Sequence, residues 1–137
     1  MLHGITTYWY ETGIKKEEVN YNSGKIDVLI TYWRQDGELD KQIYYRNDFL
    51  DGPTMVWYGN GEKKSEINYR EGKLNGPFVY WFKNGQKQKE GYHIDGEKFG
   101  IYTNCMKMVK NKRKEHLVTV CGMGRVLYGL KMVKKWN

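Results

Sequence analysis

A period of 24 residues constrains this chain more than anything else in it. The segment GPTMVWYGNGEKKSEINYREGKLNG at 52–76 is followed at once by GPFVYWFKNGQKQKEGYHIDGEKFG at 76–100. Counted from the opening Gly, Trp stands at offset +5 (Trp57, Trp81), Gly at +9 (Gly61, Gly85), Glu at +14 (Glu66, Glu90) and Gly at +20 (Gly72, Gly96). The template also fits Gly4, Trp9, Gly13, Glu18, Tyr21 and Gly24. A worn copy keeps Trp33, Gly37 and Tyr45 but has Val28 and Gln42 where Gly and Glu stand elsewhere, so its geometry is expected to deviate. Copies therefore open at residues 4, 28, 52 and 76, and the phase would place a fifth opening at Gly100. Self-similarity at this spacing means stacked supersecondary units, each burying its apolar side only against its neighbours.

Within a copy, two runs rich in Tyr, Trp, Val, Ile and Thr flank a turn at Thr12-Gly13, Asp36-Gly37, Asn60-Gly61 or Asn84-Gly85. Asn-Gly and Asp-Gly between strand-like runs predict hairpins closed by type I′ turns, which need positive φ at both central residues. A second turn uses Gly24, Asp48, Gly72 and Gly96. Each copy is then one hairpin and the chain an antiparallel meander. A two-residue loop pairs offsets that sum to 17 and so assigns faces. One face collects the Trp9, Trp33, Trp57 and Trp81 row with Glu18, Glu66 and Glu90. The other collects Tyr8, Tyr32 and Tyr80, then Tyr10, Tyr58 and Phe82, then Val19, Ile43 and Ile67, and finally Tyr21, Tyr45 and Tyr69. Pro53 and Pro77 cannot donate to a ladder, so pairing is expected to begin after them.

After Gly100 the template fails, with Cys105 at the Trp offset. Residues 101–109 and 116–121 still read as strands around the polar stretch 110–115. A hairpin centred on Arg113 sets Cys105 opposite Cys121. They are expected as small buried thiols, because a disulfide, though geometrically allowed, is disfavoured in a reducing compartment. Residues 1–100 thus form the repeat domain and 101–137 a capping segment, its last run (126–136) read as a strand rather than a short helix. Repeat arrays need an atypical end to cover the final unit.

The sequence contains no Ala, which disfavours helices. No apolar stretch approaches the length of a membrane span and the start carries no secretory signal, so a cytosol-like compartment is expected. Of the 23 Lys and Arg, residues 101–137 hold nine, against one acid, so the net charge of +7 belongs to this segment. Catalysis has no visible equipment. His3, His93 and His116 lack ligand-like spacing, His93 occupies a Tyr position of the repeat, and the glycines sit in hairpin turns rather than in a phosphate cradle. The periodic Glu reads as a structural partner of the Trp and Lys rows. No catalytic residue, metal site, cofactor or small-molecule substrate is expected.

The unit G-x-x-x-x-W-[YF]-x-[ND]-G-x-K-x-x-E resembles the MORN repeat over about residues 2–100. It is most similar to the variant group of bacterial and large-virus proteins, some members of which are classed as antitoxin components. The resemblance implies an all-β fold, an open antiparallel β-hairpin repeat solenoid, here with an atypical C-terminal β cap. It also implies a scaffold for protein contacts or self-association, with lipid binding as a further property of some members. A cytoplasmic protein, or one inside a virus particle assembled in a cytosol-like compartment, fits that role. The Trp row reads as the solenoid's own packing, and Tyr10, Tyr58, Phe82, Tyr21, Tyr45 and Tyr69 as the partner surface. Lys107, Lys110, Lys112, Arg113, Lys114, Lys131, Lys134 and Lys135 read as a solvated patch or as a contact for an acidic protein, nucleic acid or anionic membrane. Toxin neutralisation by direct binding is the alternative to assembly, and the residues do not separate the two.

Overall fold

The computed structural model describes residues 4–22, 25–26, 28–107 and 119–126. Its strands are β1 (Gly4–Trp9), β2 (Lys15–Asn22), β3 (Lys25–Ile26), β4 (Leu29–Trp33), β5 (Leu39–Arg46), β6 (Phe49–Trp57), β7 (Lys63–Arg70), β8 (Lys73–Trp81), β9 (Lys87–Ile94), β10 (Glu97–Lys107) and β11 (Thr119–Val126). Ten follow one another as neighbours in a single antiparallel sheet that does not close into a barrel, and β3 pairs with β2 beside that path. There is no helix among the described residues. The meander read from the period is the fold observed.

The turn type expected after each Trp is found at the second turns instead. The loop after each Trp has three residues, not two: Tyr58 N–H donates to the Glu62 carbonyl at 2.8 Å and Gly61 N–H to the Tyr58 carbonyl at 3.0 Å. Only its Gly is left-handed, with φ of +81° at Gly61 and +78° at Gly85, as in a type I turn closed by a glycine bulge. The preceding Asn or Asp supplies a side-chain acceptor instead. Asn60 Oδ1 receives the Glu62 N–H at 3.3 Å and Asn84 Oδ1 the Gln86 N–H at 3.2 Å. The type I′ signature lies in the second turns, where Asn47 and Asp48, Glu71 and Gly72, and Asp95 and Gly96 all have positive φ.

Offsets summing to 17 pair as expected from Gly52↔Tyr69 to Val56↔Ser65, but a bulge then sets Trp57 opposite Lys63. The same slip recurs at Trp9↔Lys15, Trp33↔Leu39 and Trp81↔Lys87. Strands also run through the prolines rather than starting after them. Pro53 and Pro77 sit in register opposite Asn68 and Tyr92, and on their other side the ladder is interrupted by the register shifts between Ile43 and Tyr45 and between Ile67 and Tyr69. In the worn copy the strand beside β2 is split, β4 keeping Glu17↔Tyr32 and Glu18↔Thr31 and β3 keeping Tyr21↔Ile26 and Asn22↔Lys25, the deviation expected of a copy lacking its opening Gly.

The core is a row across the sheet, in which successive register partners are Ile30, Ile43, Thr54, Ile67, Phe78 and Gly91. Ile30 and Phe78 are 5% and 3% exposed, and Val19 at the matching offset is 3% exposed. Full burial of such side chains stabilises by about 1.5–3 kcal/mol each. No copy could supply this burial alone, since each apolar residue is covered by strands of the units on either side.

β10 passes Gly100 as one strand and pairs with β11 in the register expected, Cys105 facing Cys121. Cys105 is buried and disulfide-bonded, which corrects the expectation of a thiol there. The expected strand at 126–136 lies outside the described residues beyond Val126.

Candidate interaction surface

Successive copies are tied by the residue after each Trp. Tyr10 Oη donates to the Trp33 carbonyl at 2.9 Å, and Tyr58 Oη to the Trp81 carbonyl at 2.8 Å. The worn copy reaches the same place with a different group. Arg34 Nη2 donates to the carbonyls of Tyr58 at 2.8 Å and Trp57 at 3.3 Å, and to Leu39 O at 2.8 Å, while Nη1 meets Asp40 at 3.3 Å. The offset that holds Asp40 holds Lys16 and Lys64 elsewhere, and those ammonium groups lie over the Tyr10 and Tyr58 rings at 5.8 Å. Tyr with Lys and Arg with Asp are two chemical solutions to one inter-repeat link. Arg34→Ala is expected to lower stability by about 1–2 kcal/mol, because carbonyls and a carboxylate lose charge-assisted bonds. The double exchange Arg34→Tyr with Asp40→Lys restores the flanking pattern and is expected to recover most of the loss, read as urea midpoints.

A second tie runs along the Trp row. Lys15 Nζ lies 6.0 Å from the Trp9 ring centre and 5.0 Å from that of Trp33, and bonds Glu18 at 2.7 Å. Lys63 repeats this with Trp81 at 5.7 Å and Glu66 at 2.9 Å, and Lys87 with Glu90 at 2.6 Å. The periodic Glu is thus the ion-pair partner expected of it. These groups are about one-third exposed or more, so each pair contributes only about 0.2–1 kcal/mol.

On the opposite face Lys41 and Lys89 cap the Tyr32 and Tyr80 rings at 4.2 and 3.9 Å. Burial, then the Glu17 carboxylate that its hydroxyl bonds, pushes Tyr32 up to about 12. Burial also raises Tyr80, with Tyr69 beside it. His93 lies 4.5 Å from the Phe78 ring, and its Nδ1 is buried without a hydrogen-bond partner. Burial, with Lys98 and Lys89 nearby, lowers its pKa below the ordinary 6.5. A lowered histidine pKa means that the unfolded chain binds the proton more readily, so stability is full above the unfolded value and falls as pH drops through it. A urea midpoint lower at pH 5 than at pH 7.5, by a margin that shrinks in His93→Tyr, is the expected result. An unchanged margin would show that His93 is not the group responsible.

The tyrosines read as a partner surface do not form one patch. Tyr10 and Tyr58 spend their hydroxyls on the next copy and, like Phe82, are half-buried at the first-turn side of the sheet. Tyr21, Tyr45 and Tyr69 are half-buried near the second-turn side, Tyr69 opposite Gly52, six residues or roughly 20 Å along the strand from Tyr58. Of the basic residues, Lys107 ends β10, and Lys110, Lys112, Arg113, Lys114, Lys131, Lys134 and Lys135 lie outside the described residues.

The exposed apolar side chains lie elsewhere. Pro77, Tyr92 and Phe99 are successive register partners across β8, β9 and β10, and Tyr92 and Phe99 are 43% and 41% exposed. Ile5, Tyr8 and Trp9 of β1 are 67%, 48% and 59% exposed. The first group had a trace in the sequence, since Phe99 stands where other copies have Asp27, Asp51 and Asn75, and Tyr92 where two have Asn20 and Asn68. The second had none, because later copies carry similar residues and exposure depends on which copy has a neighbour.

Two segments, residues 2–23 and 50–71, match the family model for the MORN repeat variant. They are the first and third copies, each opened by the Gly that the worn copy lacks. No curated protein matches the chain.

Proposed function

Because the chain carries repeats of the MORN variant family, structural units generally non-enzymatic and associated with protein or membrane interaction, we propose that it is a scaffold whose sheet docks a protein partner or further copies of itself in a cytosol-like compartment. The observation that supports this reading is the row Pro77–Tyr92–Phe99. Three apolar side chains lie in line across three strands of the sheet, and Tyr92 and Phe99 are both exposed. Solvent-facing apolar rows with a polar rim are the usual chemistry of protein interfaces. Here Lys98 and Glu97 belong to the rim. Toxin neutralisation would use the same surface and differ only in the partner.

A photo-reactive phenylalanine analogue in place of Tyr92, introduced in the native source, tests it. One protein species cross-linked at that position, and lost from a Phe99→Lys chain, is the expected result. Cross-linking no stronger than from an analogue at Glu62 on the far turn would end this reading.

The charge of residues 101–137 favours a second reading, a peripheral binder of anionic lipid or nucleic acid. It requires binding to acidic vesicles or DNA that weakens steeply with salt and disappears on Lys-to-Glu changes at 107–114 and 131–135. No binding at low salt removes it.

A further inference from the structure

We propose that β1 is a symmetric docking strand that pairs antiparallel with β1 of a second copy of this chain, joining two sheets into one. The inference rests on the interaction reading above and names its partner.

β1 lies at one end of the strand order, and among the described residues no strand pairs on its other side. Edge strands are usually protected by lysine, proline or a covering segment. β1 reads Gly-Ile-Thr-Thr-Tyr-Trp, with no charge and no proline, and its Ile5 stands where later copies have Pro53 and Pro77. Its Trp9 is 59% exposed, whereas Trp33, Trp57 and Trp81 are half-buried against the preceding copy.

The last copy does not carry the link that joins earlier copies, which argues against head-to-tail stacking on the repeat's own pattern. Each interior Trp carbonyl receives a Tyr hydroxyl or Arg guanidinium from the copy before it, so a unit docking ahead of Trp9 would need such a donor. The last copy has Phe82 at the donor offset, without a hydroxyl, and the Trp offset beyond it is Cys105. The last copy therefore lacks the donor that joins each earlier copy to the next.

A two-fold axis normal to the sheet, beside the centre of β1 and midway between the two copies of the strand, makes the strand complementary to itself. Residues directly opposite must then lie on the same face, so register partners sum to an even number. Centring on Thr7 sets Thr7 against Thr7, Thr6 against Tyr8, and Ile5 against Trp9, twice each for the off-centre pairs. Ile5 and Trp9 are the two most exposed apolar residues of the strand, and an aromatic opposite a β-branched side chain is among the favoured cross-strand pairs. No charge meets its own kind, although the molecule as a whole carries +7. Added salt should therefore strengthen the pair.

The test uses the full chain in sedimentation velocity over a concentration series, with two sets of variants. The wild type is expected to dimerise. Ile5→Lys and Thr7→Lys are expected to weaken dimerisation roughly tenfold or more with unchanged far-ultraviolet circular dichroism, since Lys at either position brings like charges to the junction. Thr7→Cys is expected to form a disulfide-linked dimer under mild oxidation, because position 7 faces itself. Thr6→Cys is not, because position 6 faces Tyr8. A chain monomeric at all concentrations would overturn the proposal, and so would a dimer indifferent to Ile5→Lys or one cross-linked equally through positions 6 and 7. A monomer still captured through Tyr92 would leave the interaction reading standing while this one fell.

Discussion

Gly91→Ile is expected to lower stability by ~3 kcal/mol, a fall in Tm of about 10 °C, although Ile stands at the same offset in two other copies. The reason is the partner across the strand. Gly91 faces Phe78, and a Cβ at Gly91 would come within 2.8 Å of the ring Cζ and 3.0 Å of the Tyr102 Cβ. In the copy before, the same two offsets hold Thr54 and Ile67, small then large, where this copy has large then small. Phe78→Thr alone should cost about as much, through the cavity it leaves in a site 3% exposed. The double variant Phe78→Thr with Gly91→Ile rebuilds the Thr54–Ile67 pair and should recover most of both losses. Its interaction energy should be of the order of 2–3 kcal/mol in a double-mutant cycle of urea unfolding. Additive losses would show that the two positions do not share one volume.

Gly76→Ala is expected to cost ~2 kcal/mol, a large effect for one methyl group. Gly76 has φ of +113°, and an added Cβ would stand 2.9 Å from the Asn68 Cβ, so backbone strain and a clash act together. Gly59→Ala is the control, because nothing lies within 4 Å of its added Cβ and its φ is not positive. The chain already contains a related substitution. Val28 opens the worn copy, and there the strand beside β2 is split into β3 and β4, with two residue pairs each. Gly76→Val should split β8 in the same way, visible as faster amide exchange in 74–80. Equal costs for Gly76→Ala and Gly59→Ala would remove the explanation offered for the opening Gly of the repeat.

The period of 24, the hairpin in each copy, the order of the strands and the register that sets Cys105 opposite Cys121 were all legible in the residues. They follow from local rules: alternation along a strand, glycine where φ must be positive, and repetition that obliges each unit to stack on the next. Local rules also misplaced the type I′ turns. Asn-Gly can close a two-residue loop or, with the Asn side chain as acceptor, sit in a three-residue one, and the bulge beside each Trp chose the second. The links between copies had a trace in the sequence, the joint change from Tyr10 and Lys16 to Arg34 and Asp40, yet its meaning needed the carbonyl 23 residues onward to be in view.

What the residues could not decide was which aromatic groups face solvent. Tyr58 and Tyr92 are equally aromatic on paper, but one closes a hydrogen bond to the next copy and the other lies in an exposed row. Trp9 and Trp57 occupy one offset and differ only in having a neighbour upstream. A repeat sequence determines the unit and its stacking, because those depend on contacts the period reproduces. The surfaces proposed here for interaction lie where the period breaks, at an edge or at an altered copy, and there exposure is a property of the assembled sheet.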